Sequence, residues 1–276
     1  MNSSRLLRLA FLIAAVSLVS SHAPAQAQTT TFQPEIGQPG KDVVWVPTPQ
    51  ELVDSMLDLA KVTPADFLID LGSGDGRTVI TAAKRGLKAH GIEFNPNMVA
   101  LSRQNAAEER VTDRATFATA DLFESDFSQA TVITMFLLPQ INVELRPKIL
   151  NLRPGTRIVS NTFDMGEWRT DDTVTLQGCD RWCTALLWIV PAKVEGSWRS
   201  PQGDLTLEQQ FQMVSGVLGS GTNAVPVTNG RLRGDEISFT AGAAQYNGRV
   251  TGDTIEARVV SGGSTSKWRA MRVNRR

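Results

Sequence analysis

Three carboxylates, Asp70, Glu93 and Asp121, each stand at the end of a short apolar run, and the first opens into Gly72-Ser73-Gly74-Asp75-Gly76. A strand passing into alternating glycines brings bare backbone and helix-start amides up to a ligand. A carboxylate after the following strand, here Glu93, can accept both hydroxyls of a ribose. Asp121, in Thr119-Ala120-Asp121-Leu122-Phe123, can accept from an adenine amino group. A nicotinamide dinucleotide fits poorly, because Arg77 stands where the third glycine of its fingerprint belongs, and no Gly-Lys-Ser/Thr follows for a phosphate loop. Three acids would repel a pyrophosphate but suit a cofactor that carries a sulfonium and an ammonium, S-adenosylmethionine.

Those acids need a sheet to place them. Thr48-Pro49-Gln50-Glu51 carries the signals of a helix start, with Thr48 as N-cap and an apolar face of Val53, Met56, Leu57 and Ala60 running to about Val62. Strands follow at Phe67–Leu71, Ala89–Glu93, Ala115–Thr119, Thr131–Phe136 and Arg157–Asn161, with helices at 78–85, 96–109 and 140–150. Alternation at this spacing predicts an α/β fold, a doubly wound Rossmann-like parallel sheet with helices on both faces. Runs at 173–176 and 184–190 predict an antiparallel terminal hairpin. Beyond residue 192 the strands are short and more than half of the glycines are found, which predicts a small all-β domain at 193–276. Asn229-Gly-Arg-Leu-Arg-Gly-Asp-Glu-Ile and Asn247-Gly-Arg-Val-Thr-Gly-Asp-Thr-Ile read as one hairpin unit used twice.

The N-terminus reads as an address. Arg5 and Arg8 precede an apolar stretch and Ala25-Gln26-Ala27 forms a small-x-small site, so residues 1–27 are expected to be a signal peptide, 28–44 a linker rich in Thr, Gln, Pro and Gly, and 45–192 the α/β domain. Export to the periplasm is the expectation, with an uncleaved membrane anchor as the alternative. The 28 basic residues balance 28 acidic ones, so no overall field favours nucleic acid. Two cysteines, Cys179 and Cys183, and two distant histidines cannot assemble a four-ligand zinc site. The cysteines are as consistent with a bridge as with free thiols.

DLGSGDGR at 70–77, GIEFNP at 91–96 and TADLF at 119–123 resemble the successive motifs of class I S-adenosylmethionine-dependent methyltransferases over residues 43–192. More narrowly, VPTP at 46–49, the glycine loop, the ExNP turn and the FxxP segment at 136–139 resemble small membrane-associated protein-lysine methyltransferases. The resemblance implies that Asp70, Gly72, Ser73, Gly74 and Gly76 hold the amino acid end of S-adenosylmethionine. It places the ribose at Glu93 and the adenine at Asp121, with Phe94 and Leu122 beside them. It implies a lysine of a protein as acceptor, at or near a membrane; a small molecule is the alternative. Met135-Phe-Leu-Leu-Pro139 replaces the Asn-Pro-Pro-Tyr that would hold a planar nitrogen, which disfavours base methylation. Phe136, Pro139, Asn161 and Asp164 are the candidates for the acceptor side, Phe163 faces it, and Trp45 or Thr48 stands at the lip. Arg77 reads as a loop anchor. The contrasting expectation is an exported, non-catalytic binding protein on the same scaffold.

Overall fold

The computed structural model describes residues 32–273, and the fold belongs to the unit that begins at Pro34. The expected signal peptide lies outside the described residues. Among those described, no helix is long and apolar enough to cross a membrane.

A first helix, α1 (Gln50–Leu59), precedes the strands β1 (Phe67–Leu71), β2 (Lys88–Glu93), β3 (Ala115–Thr119), β4 (Val132–Met135) and β5 (Arg157–Asn161). The helices α2 (Arg77–Lys84), α3 (Pro96–Glu108) and α4 (Pro139–Ile149) connect them, and the hairpin β6 (Asp172–Thr175) and β7 (Thr184–Ile189) closes the sheet. The order is β3-β2-β1-β4-β5-β7-β6, parallel through β5, with β7 antiparallel to β5 and β6 antiparallel to β7. The central strands β1 and β4 are almost wholly buried, which is why they read as unbroken apolar runs rather than alternating ones. The order reverses between β1 and β4, so the ligand crevice of such a sheet falls outside their carboxyl ends.

Element positions match the expectations to within a residue or two, except at the first helix. Thr48 does not cap α1: Pro49 holds the N-cap position with no side-chain bond, and the helix ends at Leu59. The Thr48 hydroxyl instead accepts from Asn161 Nδ2 at 3.2 Å, and its carbonyl accepts from Arg77 Nη1 at 2.9 Å. Two long-range bonds outcompete a local cap.

The eight remaining strands, β8 (Gly196–Ser200), β9 (Gly203–Gln210), β10 (Met213–Leu218), β11 (Val225–Arg233), β12 (Glu236–Ala241), β13 (Ala244–Thr251), β14 (Thr254–Ser261) and β15 (Ser264–Arg272), form a closed antiparallel barrel. The repeated nine-residue unit becomes two hairpins, β11–β12 and β13–β14, turning at Gly234 and Gly252 with φ of 65° and 58°. Trp198, Phe239, Tyr246 and Trp268 fill the interior, each 4% exposed or less, so this small barrel is a packed core. It is docked on the α/β domain: Phe211 stacks on Trp168 at 6.0 Å, Arg231 pairs with Asp171 at 2.7 Å, and Gln212 Nε2 donates to the Arg169 carbonyl at 2.7 Å.

Candidate active site

One cleft at the carboxyl ends of β1, β2, β3 and β4 is lined by Asp70, Gly72, Ser73, Gly74, Glu93, Phe94, Asp121 and Leu122 together. Gly76 lies behind it: a Cβ there would come within 2.8 Å of the Phe117 ring and 2.9 Å of Ser102, at φ 82°. Its glycine serves the packing of loop on helix and strand, which corrects its assignment to ligand contact.

Asp70 is buried and accepts from Thr134 Oγ1 at 2.6 Å, from the residue directly across the β1–β4 register. Burial pushes its carboxyl up from 3.8 to about 7 against the help of Thr134, and the charges of Asp75 and Glu93 push the same way. Glu93 is held by both oxygens: Oε2 accepts from the Gly74 amide at 3.0 Å and Oε1 from the Asn95 amide at 2.9 Å. That fixes the carboxylate while leaving lone pairs toward the cleft. Asp121 Oδ1 accepts from the Phe123 amide at 2.9 Å and Oδ2 from Lys41 Nζ at 2.6 Å, and the Lys41 ammonium holds this carboxyl below its ordinary range.

Lys41 belongs to the segment read as a linker, and residues 38–44 of it instead line the cleft. The turn is closed by bonds from the Gly37 amide to the Trp45 carbonyl at 2.8 Å and from the Trp45 amide to the Gln38 carbonyl at 2.9 Å. The Trp45 indole lies so close to the glycine loop that a Cβ on Gly74 would sit 2.6 Å from its Nε1. Lys41 reaches over the rings of Phe94, at 5.2 Å, and Phe123, at 5.9 Å. Arg77 anchors this arrangement through Asp75 and Thr48, as its sequence reading holds.

On the acceptor side only Phe136 lines the cleft, with Met135, Leu137 and Ile141. Pro139 opens α4. Asn161 is fully buried, spent on Thr48 and the Thr162 hydroxyl. Asp164 is exposed, its Oδ1 accepts from the Gly166 amide at 3.0 Å in a tight turn, and it does not line the cleft. Of the four candidates the structure brings only Phe136 to the cleft. Sequence reasoning missed Thr134 and Lys41. Thr134 left a signal, a hydroxyl inside an apolar strand opposite Asp70; Lys41 left none, because its partner Asp121 is distant in the chain.

The cleft suits S-adenosylmethionine on its own chemistry. Among the described residues, Asp70 is a buried acid short of a cation and the buried Ser73 hydroxyl has no hydrogen-bond partner, and Phe94 is 51% exposed beside Glu93 and Asp121. An ammonium, a ribose and an adenine meet these in turn.

A doubly wound sheet with this cleft defines an S-adenosylmethionine-dependent methyltransferase. Residues 70–172 match the ANTKMT methyltransferase domain. A protein-lysine N-methyltransferase of Saccharolobus islandicus is 40% identical over 151 residues, which cover 54% of this chain and 94% of that protein. The chain belongs to that family. It also matches the adenine nucleotide translocase lysine N-methyltransferase of Mus musculus, 33% identical over 131 residues that span 47% of this chain and 56% of the mouse protein. The crystal structure of an RNA methyltransferase from Salinibacter ruber in complex with S-adenosyl-L-homocysteine shares 48% identity at a TM-score of 0.51, covering 54% of this chain and 96% of that one.

Proposed function

We propose that this methyltransferase acts on the ε-amino group of lysine in a protein. The alignment over 94% of the Saccharolobus islandicus protein-lysine N-methyltransferase carries this reading. The residues after β4 support it over the RNA acceptor named for the Salinibacter protein: Phe136 and Leu137 make that side of the cleft apolar, and neither can hydrogen-bond a base edge. When bound, the cofactor supplies a methyl group already activated by its sulfonium. The chain's own residues hold it, orient the acceptor and exclude water. A nitrogen lone pair forms the new N–C bond as the C–S bond breaks onto sulfur, so lysine must arrive neutral. The apolar side lowers its ordinary value of about 10.4 by desolvation. Incubation of the protein with labelled S-adenosylmethionine and a membrane extract is expected to place label in protein, recovered after acid hydrolysis as Nε-methylated lysine. Label confined to RNA or to small molecules would replace this reading.

We further place the mature chain outside the cytoplasm. The basic-apolar-small leader supports this, as does the bond between Cys179 and Cys183, since such bridges persist in oxidising compartments. In the native host, N-terminal sequencing of the periplasmic fraction is expected to begin just after Ala27; recovery of the intact leader in the cytoplasm would refute the placement.

A further inference from the structure

Three loops from different strand ends bring aromatic rings together beside the cleft. Phe136 follows β4, Phe163 follows β5, and Trp182 tops the β6–β7 hairpin. The ring centroids lie 5.8 Å apart for Phe136 and Phe163, 5.6 Å for Phe136 and Trp182, and 5.3 Å for Phe163 and Trp182. Phe136 lines the cofactor cleft, and the other two pack against it from loops at the carboxyl end of β5, where Asn161 pairs with Ala185.

Two of these loops are strained. Thr162 has φ 60°, an unfavourable value for a β-branched residue, in a three-residue turn closed by the Phe163 amide on the Asn161 carbonyl at 2.7 Å. That turn aims the Phe163 ring. Trp182 has φ 57° and sits inside the loop closed by the Cys179–Cys183 disulfide. Strain of this kind persists only where its surroundings over-determine it, and it gathers at binding sites. Here the surroundings are visible: Asn142 Nδ2 donates to the carbonyls of Phe163 and Asp164, the Thr162 amide donates to the Thr184 carbonyl, and the disulfide fixes the hairpin tip. If packing alone were served, the rings would be sealed as Trp168 and Trp188 are, at 1% and 0% exposure. Phe136, Phe163 and Trp182 all remain partly open.

We propose that Phe136, Phe163 and Trp182 form the acceptor wall, along which an alkyl chain ending in an ammonium or methylammonium group lies on its way to the cofactor, and that the Cys179–Cys183 bond holds Trp182 in that wall. The proposal rests on the lysine reading above and names the residues that select such a chain. Methylene groups pack on the aromatic faces, and the rings' negative faces attract the cationic head before it loses its proton. Trp182 is a positioning residue for the acceptor.

The probes are Nα-acetyl-Nε-trimethyl-lysine amide and its isostere with carbon in place of the quaternary nitrogen, titrated by NMR into the protein saturated with S-adenosylhomocysteine. The cation is expected to bind about fivefold more tightly than the neutral isostere. Trp182→Ala and the double variant Cys179→Ser/Cys183→Ser are expected to lose that preference, and Trp182→Phe to keep much of it. S-adenosylhomocysteine affinity is expected to stay unchanged in all three, which separates loss of the wall from loss of the fold. Equal binding of the two compounds, binding of neither, or an undiminished preference in Trp182→Ala would overturn the wall. Lysine labelling in the extract is read in parallel: if it persists while the preference is absent, the wall alone falls, and if no lysine is labelled, the lysine reading falls with it.

Discussion

S-Adenosylmethionine should bind more tightly as pH is raised from about 5 to about 7, and Asp70→Asn should remove that dependence and weaken binding on the order of 100-fold at neutral pH. The free protein keeps Asp70 protonated up to about 7, because burial strips water from its carboxylate and the charges of Asp75 and Glu93 add to that cost. A cofactor ammonium set beside it stabilises the ionised form, so binding releases a proton below that value and costs nothing extra above it. Affinity should therefore fall by up to a factor of ten per pH unit below about 7, level off, and fall again above about 8 as the cofactor's own α-amino group loses its charge.

The stability of the unliganded protein should run the other way. With the folded value raised from 3.8 to about 7, the Asp70 contribution is fully present below 3.8 and is lost as pH rises through about 7. Asp70→Asn should thus melt several degrees higher than wild type at about pH 8 while binding the cofactor poorly. Calorimetry in buffers of different ionisation enthalpy would count the released proton, and thermal scans at both ends of the range would check the opposing trend. Binding that is flat between about pH 5 and 7 would show that Asp70 meets no cation.

What the sequence reveals here is what local chemistry determines. Buried parallel strands read as FLIDL and VITM because both faces are covered, and Asp70, Glu93 and Asp121 stand out together because three carboxylates recur at the carboxyl ends of three neighbouring strands. The antiparallel hairpin and the doubled β11–β12, β13–β14 unit were legible for the same reason, since each is closed by its own turn. Features made by distant partners were not. Residues 38–44 have linker composition, and their order comes from Lys41 meeting Asp121 and Trp45 meeting the glycine loop. The spacing of Cys179 and Cys183 allowed a bridge but said nothing of Trp182 reaching Phe136. Asp164 misled because it follows β5 at the right end of the sheet, yet a tight turn to Gly166 captures its carboxylate. Closure of the barrel depends on pairing β9 with β10 and β8 with β15, the last across most of the domain. Its docking has a consequence for the site. Phe211 and Gln212 bind the segment at Trp168 and Arg169, and α4 holds the same stretch through Asn142 and Arg146, so the loop that carries Phe163 is braced from two sides.

Trp45→Ala is expected to speed cofactor dissociation at least about tenfold while leaving association nearly unchanged, so that the dissociation constant rises by the same factor. The indole pins the turn that carries Lys41 onto the glycine loop at Gly74, so its removal leaves that turn closed by its own backbone bonds but no longer held down over the cleft. Lys41→Ala removes only the tip. The Lys41–Asp121 pair is more than a quarter exposed on both sides, at 36% and 27%, and solvent screens an exposed pair of this kind so well that its loss should have less than about a fivefold effect. Nor does Lys41 block the proposed adenine contact, since each ionised carboxylate oxygen has two lone pairs and, among the described residues, each Asp121 oxygen has one protein partner. The two variants therefore separate cover from charge. Stopped-flow displacement of S-adenosylhomocysteine by excess S-adenosylmethionine should show a fast-exchanging Trp45→Ala and a nearly normal Lys41→Ala whose small deficit shrinks in high salt. If Trp45→Ala releases cofactor at the wild-type rate, the pinned turn is not what retains it, and the acids and the glycine loop must hold it unaided.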